Sequence, residues 1–302
     1  MTADTAAPGA PSEPGAAQAP RESFVEIAGC RCRVWEKGEG APLGFLPGLR
    51  GLPRWTPFLD RLAAKRRVVA MSPPGFSGSG PGHHDLDDLA DWVTMTLDLL
   101  EAAGVAGSDV VGASAGGMLA AEAAAFSNAS VRKLVLIGSF GLYDEAVAPA
   151  MFFPNTLPQQ DALLASDPEA LRSFTGPPPG TAEADLLEWE MQAFRVNEAT
   201  ARLLWPMGDH GLRKRLHRIR AKTLVVWGAE DKLFPPSYAS LFEHGIAGPV
   251  RTRIVKGAGH LAWLDKPDET AAAVLRFVGT PRQRKRARLT GEEPAHPGIQ
   301  AS

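Results

Sequence analysis

Apolar residues fall along this chain in short runs, at 43–46, 68–71, 109–111, 134–137, 224–227 and 253–255, most of them continuous, with Asp109 and Arg253 opening two of them. Runs that are apolar at every position, rather than at alternate ones, suit strands buried on both faces of a parallel sheet. Ahead of them, 24–27 and 32–35 flank a turn at Gly29 and predict an opening hairpin. Helical spacing appears between the strands. Leu86, Leu89, Val93, Leu97 and Leu100 share one helix face, with Asp85 as the expected N-cap. An Ala-rich helix is expected over 118–126, and another over 269–277 behind Pro267. The alternation stops between 142 and 211, where Pro149, Pro154, Pro158, Pro168 and Pro177-Pro178-Pro179 separate helical pieces such as 185–196. The pattern predicts an α/β fold, a mostly parallel central sheet flanked by helices, carrying a helical cap insertion of the kind that shapes binding pockets.

The ends read differently. Residues 1–20 hold seven Ala, four Pro and two Gly, too little apolar surface to offset the entropy of ordering. From 280 to 302 the chain opens on Arg282, Arg284, Lys285, Arg286 and Arg288, with no apolar face beside them, and reads as a solvated basic tail. The expected division is therefore a core of 21–141 and 212–279, a cap of 142–211, and disordered tails at 1–20 and 280–302. A chain of 302 residues fits one large domain and needs no covalent staples to fold.

Composition narrows the partners. A formal charge of −2 lacks the basic surplus that a nucleic-acid binder uses against phosphates. No run approaches the roughly 20 apolar residues of a membrane span, and the start lacks the pattern of a signal peptide. Cys30 and Cys32 are too close for an ordinary disulfide, and no second His or Cys pair completes a zinc-like spacing. The expectation is a cytoplasmic protein with reduced cysteines, no metal and no cofactor.

The sharpest chemical signal is Gly112-Ala113-Ser114-Ala115-Gly116, between the predicted strand at 109–111 and the Ala-rich helix. A serine on a tight strand-to-helix turn is held in a strained backbone conformation with its hydroxyl above the sheet. The helix N-terminus beneath it favours developing negative charge. Two further loops carry candidate partners: Gly228-Ala229-Glu230-Asp231 and Gly257-Ala258-Gly259-His260, each following a late strand. His83, His84, His210, His217, His244 and His296 are the other histidines; His217 lies in the basic stretch 213–220, expected to be a solvated helix face. Glu230 competes with Asp231.

Together these segments resemble the α/β-hydrolase fold family, in its cap-bearing branch. Leu46-Pro47-Gly48-Leu49 sits where that family has its oxyanion loop, and Ser72-Pro73-Pro74-Gly75-Phe76-Ser77-Gly78-Ser79 resembles its turn after the fourth strand. The resemblance covers roughly 24–279 apart from much of the cap. Pro47 stands where the family commonly has His, and Ser72 where it has Asp. The resemblance implies Ser114 as nucleophile, His260 as its base and Asp231 as the group orienting the imidazole. It also implies an oxyanion hole from the backbone N–H groups of Leu49 and Ala115.

For the substrate, a serine nucleophile removes the aspartate-dependent branches of the family. A small, apolar acyl substrate, with Phe152, Trp189 and Trp263 among the residues that bind it, and cleavage of a carboxylic ester or related bond are expected. Met151, Phe153, Met191, Phe194, Trp205 and Met207 are further candidates for the lining, and Arg195 or Arg202 for meeting a substrate carboxylate. Two alternatives stay open: a carbon–carbon bond hydrolase of ring-cleavage products, and a ligand-binding member of the fold without turnover.

Overall fold

The computed structural model describes residues 19–279 of the 302. Eight strands form one sheet in the order β1-β2-β4-β3-β5-β6-β7-β8. They are β1 (Arg21–Ile27), β2 (Cys30–Lys37), β3 (Pro42–Leu46), β4 (Arg67–Met71), β5 (Ser108–Ala113), β6 (Val131–Ile137), β7 (Lys222–Gly228) and β8 (Val250–Val255). The first two strands form an antiparallel hairpin, β2 pairs antiparallel with β4, and every later pairing is parallel. All six apolar runs and both hairpin segments lie inside these strands. The expected tail at 280–302 lies outside the described residues, as does all of the other tail before residue 19.

Five helices belong to the sheet: α1 (Pro57–Ala63), α2 (Leu89–Ala102), α3 (Ala115–Phe126), α7 (Tyr238–Gly245) and α9 (Pro267–Val278), with the single turn α8 (Ala262–Asp265) before the last. The helix expected to start at Asp85 starts later, behind Asp88. The Asp88 carboxylate accepts from the Ala90 and Asp91 N–H groups, while Asp91 accepts from the Asp88 N–H. That reciprocal box outcompetes Asp85, which ends a short 3-10 turn. Helix α3 is buried at every position from Ala115 to Ala125, and small side chains let it lie close against β5 and β6.

The stretch 213–220 departs from expectation more plainly. It forms two short 3-10 turns rather than a solvated helix. Arg215 reaches the fully buried Glu122 of α3 with two hydrogen bonds, at 2.7 and 2.6 Å, and Arg218 donates to the Ala125 carbonyl near the end of α3. Arg215 and Arg218 therefore tie the stretch to the core, while Arg213, Lys214, His217 and Arg220 stay exposed to water as expected.

Between β6 and β7 the chain forms α4 (Leu157–Leu164), α5 (Pro168–Thr175) and α6 (Glu183–Leu204). Only Val196, Ala199, Thr200, Leu203 and Leu204 of the 22-residue α6 are buried. Arginines supply ties to the rest of the molecule. Arg50 bonds Asp161 and Asn197, Arg54 donates to the carbonyls of Ser173, Phe174 and Gly176, and Arg202 reaches Asp87 and the Leu86 carbonyl. Cys30 and Cys32 are buried free thiols on β2, and burial, with Cys30 adding to it, pushes the Cys32 thiol far above its ordinary value. No described helix is long and apolar enough to cross a membrane.

Candidate active site

Parallel strands end at a common edge of a sheet, so the loops leaving β3, β5, β7 and β8 converge there. Leu49 follows β3, Ser114 follows β5, Asp231 follows β7 and His260 follows β8. Register brings these ends level: Leu46 pairs with Gly112, and Gly228 with Val255.

Ser114 occupies φ 56°, ψ −123°, a conformation that costs a non-glycine residue on the order of 1–3 kcal/mol. Its neighbours hold it there. The Ser114 N–H donates to the Ile137 carbonyl at 2.8 Å, and its own carbonyl accepts from Gly117 and Phe140. The glycines of the motif are required sterically: a Cβ on Gly112 would lie 2.4 Å from the Gly116 carbonyl oxygen, and one on Gly116 would lie 2.3 Å from that of Leu46.

His260 Nε2 lies 2.9 Å from Ser114 Oγ, and its Nδ1 lies 3.0 Å from Asp231 Oδ2. The second Asp231 oxygen accepts from the Leu233 and Phe234 N–H groups, both at 2.9 Å, which fixes the carboxylate plane. Glu230, the competing carboxylate, is exposed, and its N–H is tied to the Ala258 carbonyl. The His260 ring is stacked on Phe234 and meets the edge of Phe140, with centroids 5.9 and 5.5 Å away. Ser114 and His260 are fully buried. Of the other histidines, His83 is buried against Glu198 and His84, His244 bonds the Ser240 carbonyl, His217 is exposed, none of these nor His210 joins Ser114, and His296 lies outside the described residues.

The Leu49 N–H points at Ser114 Oγ from 3.4 Å. Ala115 opens α3, so its N–H belongs to the first turn, whose amides have no partner within the helix. Pro47 leaves this loop intact: Gly51 N–H closes it onto the Gly48 carbonyl at 2.8 Å, and Arg50 and Gly51 both take positive φ, 70° and 64°.

A cavity of about 460 Å³ lies among α4, α5 and α6, walled by Leu157, Trp189 and Val196 together with Arg50, Asp161 and Asn197; Arg50 joins it to the loop bearing Leu49, and Ser114, Asp231 and His260 are not in its wall. Trp189 thus stands in the wall as expected, its Nε1 donating to the Thr175 carbonyl. Trp263 does not. It is packed in the interior against Phe45, Phe58 and Phe174, because its ring fills the space between the sheet edge and α1. Phe152 is also buried, against Phe153, with the Arg50 guanidinium 5.9 Å from its ring, and it does not line the cavity. Met151, Met191, Phe194 and Trp205 are exposed. Arg202 is spent on Asp87, and neither it nor Arg195 lines the cavity.

A model of the Alpha/beta hydrolase family matches residues 45–273. The chain belongs to the alpha/beta hydrolase family. It is 33% identical over 277 residues to 2-hydroxymuconate semialdehyde hydrolase of Pseudomonas putida, covering 84% of this chain and 92% of that protein. It is 29% identical over 275 residues to a dihydrolipoyllysine-residue acetyltransferase component of an acetoin cleaving system, also from Pseudomonas putida, with 87% and 70% covered. A solved 2-hydroxy-6-oxo-6-phenylhexa-2,4-dienoate hydrolase from Rhodococcus sp. strain RHA1 superposes with a TM-score of 0.67 over 85% of this chain and 98% of that one, at 20% identity, which speaks to the fold.

Two residues of this alpha/beta hydrolase were missed in the sequence. Arg50 follows Leu49 directly and is almost wholly buried, with Nη2 2.7 Å from Asp161 of α4 and Nη1 3.2 Å from Asn197 of α6. One residue therefore belongs both to the loop aimed at Ser114 and to the cavity wall. Asp265 accepts from the Gly259 and Ser166 N–H groups, at 2.7 and 3.0 Å, bracing the His260 loop against the end of α4. Neither shows in sequence, where a lone Arg or Asp in a loop reads as solvated.

Proposed function

We propose that this alpha/beta hydrolase cleaves a carboxylic ester or related acyl bond of a small, largely apolar substrate through an acyl-enzyme on Ser114. The carrying observation is the unbroken series from Ser114 to His260 to Asp231, buried and within hydrogen-bond reach at both links. His260 takes the Ser114 proton as Oγ attacks the carbonyl carbon, and the imidazolium that forms is stabilised by Asp231. The Leu49 and Ala115 N–H groups receive the developing oxyanion. Collapse of the tetrahedral adduct expels the leaving group, which takes the proton from His260, and a water molecule activated by the same base then releases the acid.

The cavity supports a substrate of modest size, since its volume falls within the roughly 300–1,000 Å³ of small-molecule sites. Its wall is mostly apolar, and Arg50, Asp161 and Asn197, with Arg172, Glu190 and Gln192, offer partners for a hydrogen-bonding group.

Labelling with a fluorophosphonate, read by intact mass, tests the mechanism. One adduct on the wild type and none on Ser114→Ala is the expected result, with loss of p-nitrophenyl ester turnover by up to about 10⁶-fold in the variant. An adduct of equal yield on Ser114→Ala would refute the assignment.

A second reading, cleavage of a carbon–carbon bond in a ring-cleavage dienone, draws support from the semialdehyde hydrolase relative named above. Ser114-dependent turnover of such a dienone, with no ester hydrolysis, would favour it.

A further inference from the structure

A second cluster lies on the seam between α6 and the core, outside the site described above. His83 is fully buried, yet neither ring nitrogen has a hydrogen-bond partner. Buried polar groups are paired in the great majority of cases, so an orphaned imidazole calls for a ligand or a cause. Its Nδ1 face is closed by the turn after β4, where a Cβ on Gly75 would lie 2.5 Å from Nδ1. Nε2 instead faces Glu198 of α6, with Oε2 at 3.5 Å. The other Glu198 oxygen lies 3.7 Å from Nδ1 of His84.

Those distances are long for hydrogen bonds and near the ligand–ligand edge of a metal site. Bonds of about 2.0–2.1 Å in tetrahedral geometry set donors about 3.3 Å apart. All three donor atoms fall within 4.8 Å of one another. His84 and Glu198 are about half exposed, which leaves an entry path and room for a water ligand.

We propose that His83, His84 and Glu198 form a binding site for a divalent transition-metal ion, Zn²⁺ or a similar borderline cation, that fastens α6 to the turn after β4. Two imidazoles and one carboxylate suit that class rather than Mg²⁺ or Ca²⁺, which prefer oxygen donors throughout. The site is independent of the Ser114 chemistry, and its residues take no part in it.

Zinc titration of untagged, chelator-stripped protein tests this, by calorimetry against a competing chelator and by the visible absorption of Co²⁺ substituted for Zn²⁺. One equivalent should bind with a dissociation constant of about a micromolar or tighter. Loss of partners one layer out from a metal costs about 10–100-fold, so loss of a ligand in His84→Ala or Glu198→Gln should weaken binding by at least about 100-fold. Both side chains are half exposed, and an unchanged metal-free unfolding midpoint certifies that the variants fold. His217→Ala, at an exposed histidine elsewhere, should bind as the wild type does. Wild-type affinity in either ligand variant, or no saturable zinc binding by the wild type, overturns the proposal.

Discussion

Helices α3 and α6 hold their places in opposite ways. Eleven consecutive residues of α3 are buried, and its closeness to the sheet comes from Ala and Gly. Five of 22 residues of α6 are buried, all in its C-terminal half, and the exposed Leu187, Met191 and Phe194 all precede them. Packing density fixes α3, so the turn carrying Ser114 has one conformation available. Directional polar contacts help fix α6 and its neighbours, and such contacts open one at a time. A rigid site under a loosely fastened cover suits a reaction whose groups must stay aligned while a substrate enters and a product leaves.

The comparison predicts where substitutions strike. Gly116→Val should have the largest effect on stability, because its side chain meets the Leu46 and Pro47 carbonyls with no room to yield. A loss above about 4 kcal/mol, or failure to accumulate folded protein, is expected from denaturant unfolding. Full stability in this variant would show that α3 is less rigid than its burial indicates.

Asp161→Asn should come next. Breaking a buried ion pair by removing one partner costs about 3–5 kcal/mol, and here the charge left alone is Arg50, beside Leu49. Hydrogen exchange should quicken in α4 to α6 and stay unchanged in α3. Ester turnover should lose more in kcat than in KM, since the loop bearing the Leu49 N–H loosens. Uniform acceleration of exchange across both regions would erase the distinction between them.

A smaller effect should follow acidification. Burial holds His210, just beyond α6, below the ordinary histidine value, outweighing the Leu204 carbonyl and the Asp209 and Glu122 carboxylates that act the other way. The unfolded chain then takes up the proton first, so this contribution is intact above about pH 6.5 and is lost as pH falls toward the depressed folded value. The unfolding midpoint of His210→Gln should fall less than that of the wild type between pH 7 and pH 5. Parallel curves would remove His210 from the account.

Smallest of all is Arg202→Ala. Its pair with Asp87 is exposed, and such pairs contribute about 0–1 kcal/mol. A shift of at most a few degrees in the unfolding midpoint is expected, with exchange confined to the end of α6.

The same division decides what could be read from the sequence. Strands β3 to β7 announce themselves because burial on both faces forces mostly continuous apolar runs, and the Ser114 turn because its glycines are sterically compulsory; β8, at the sheet edge, is exposed over most of its length and is marked only by Ile254 and Val255. The cap leaves no such record. Arg50 and Asp161 are 111 positions apart, and Glu198 meets His83 across a similar gap, so no local pattern links them. Trp263 reads as a pocket aromatic from composition alone, since nothing in sequence separates a ring facing a cavity from one facing Phe45 and Phe58. The choice between Asp85 and Asp88 turned on a side chain three positions further on, Asp91, closing the box.

The two cysteines, finally, make the molecule convenient for spectroscopy. Both thiols are buried, and the Cys32 proton is held tightly, so maleimide reagents meet no ready thiolate on the native surface. A cysteine placed at exposed Phe194 would be the one site taking a spin label or dye. Paired with a second label on the core, it would report the opening of the cover in real time, without first removing a native thiol.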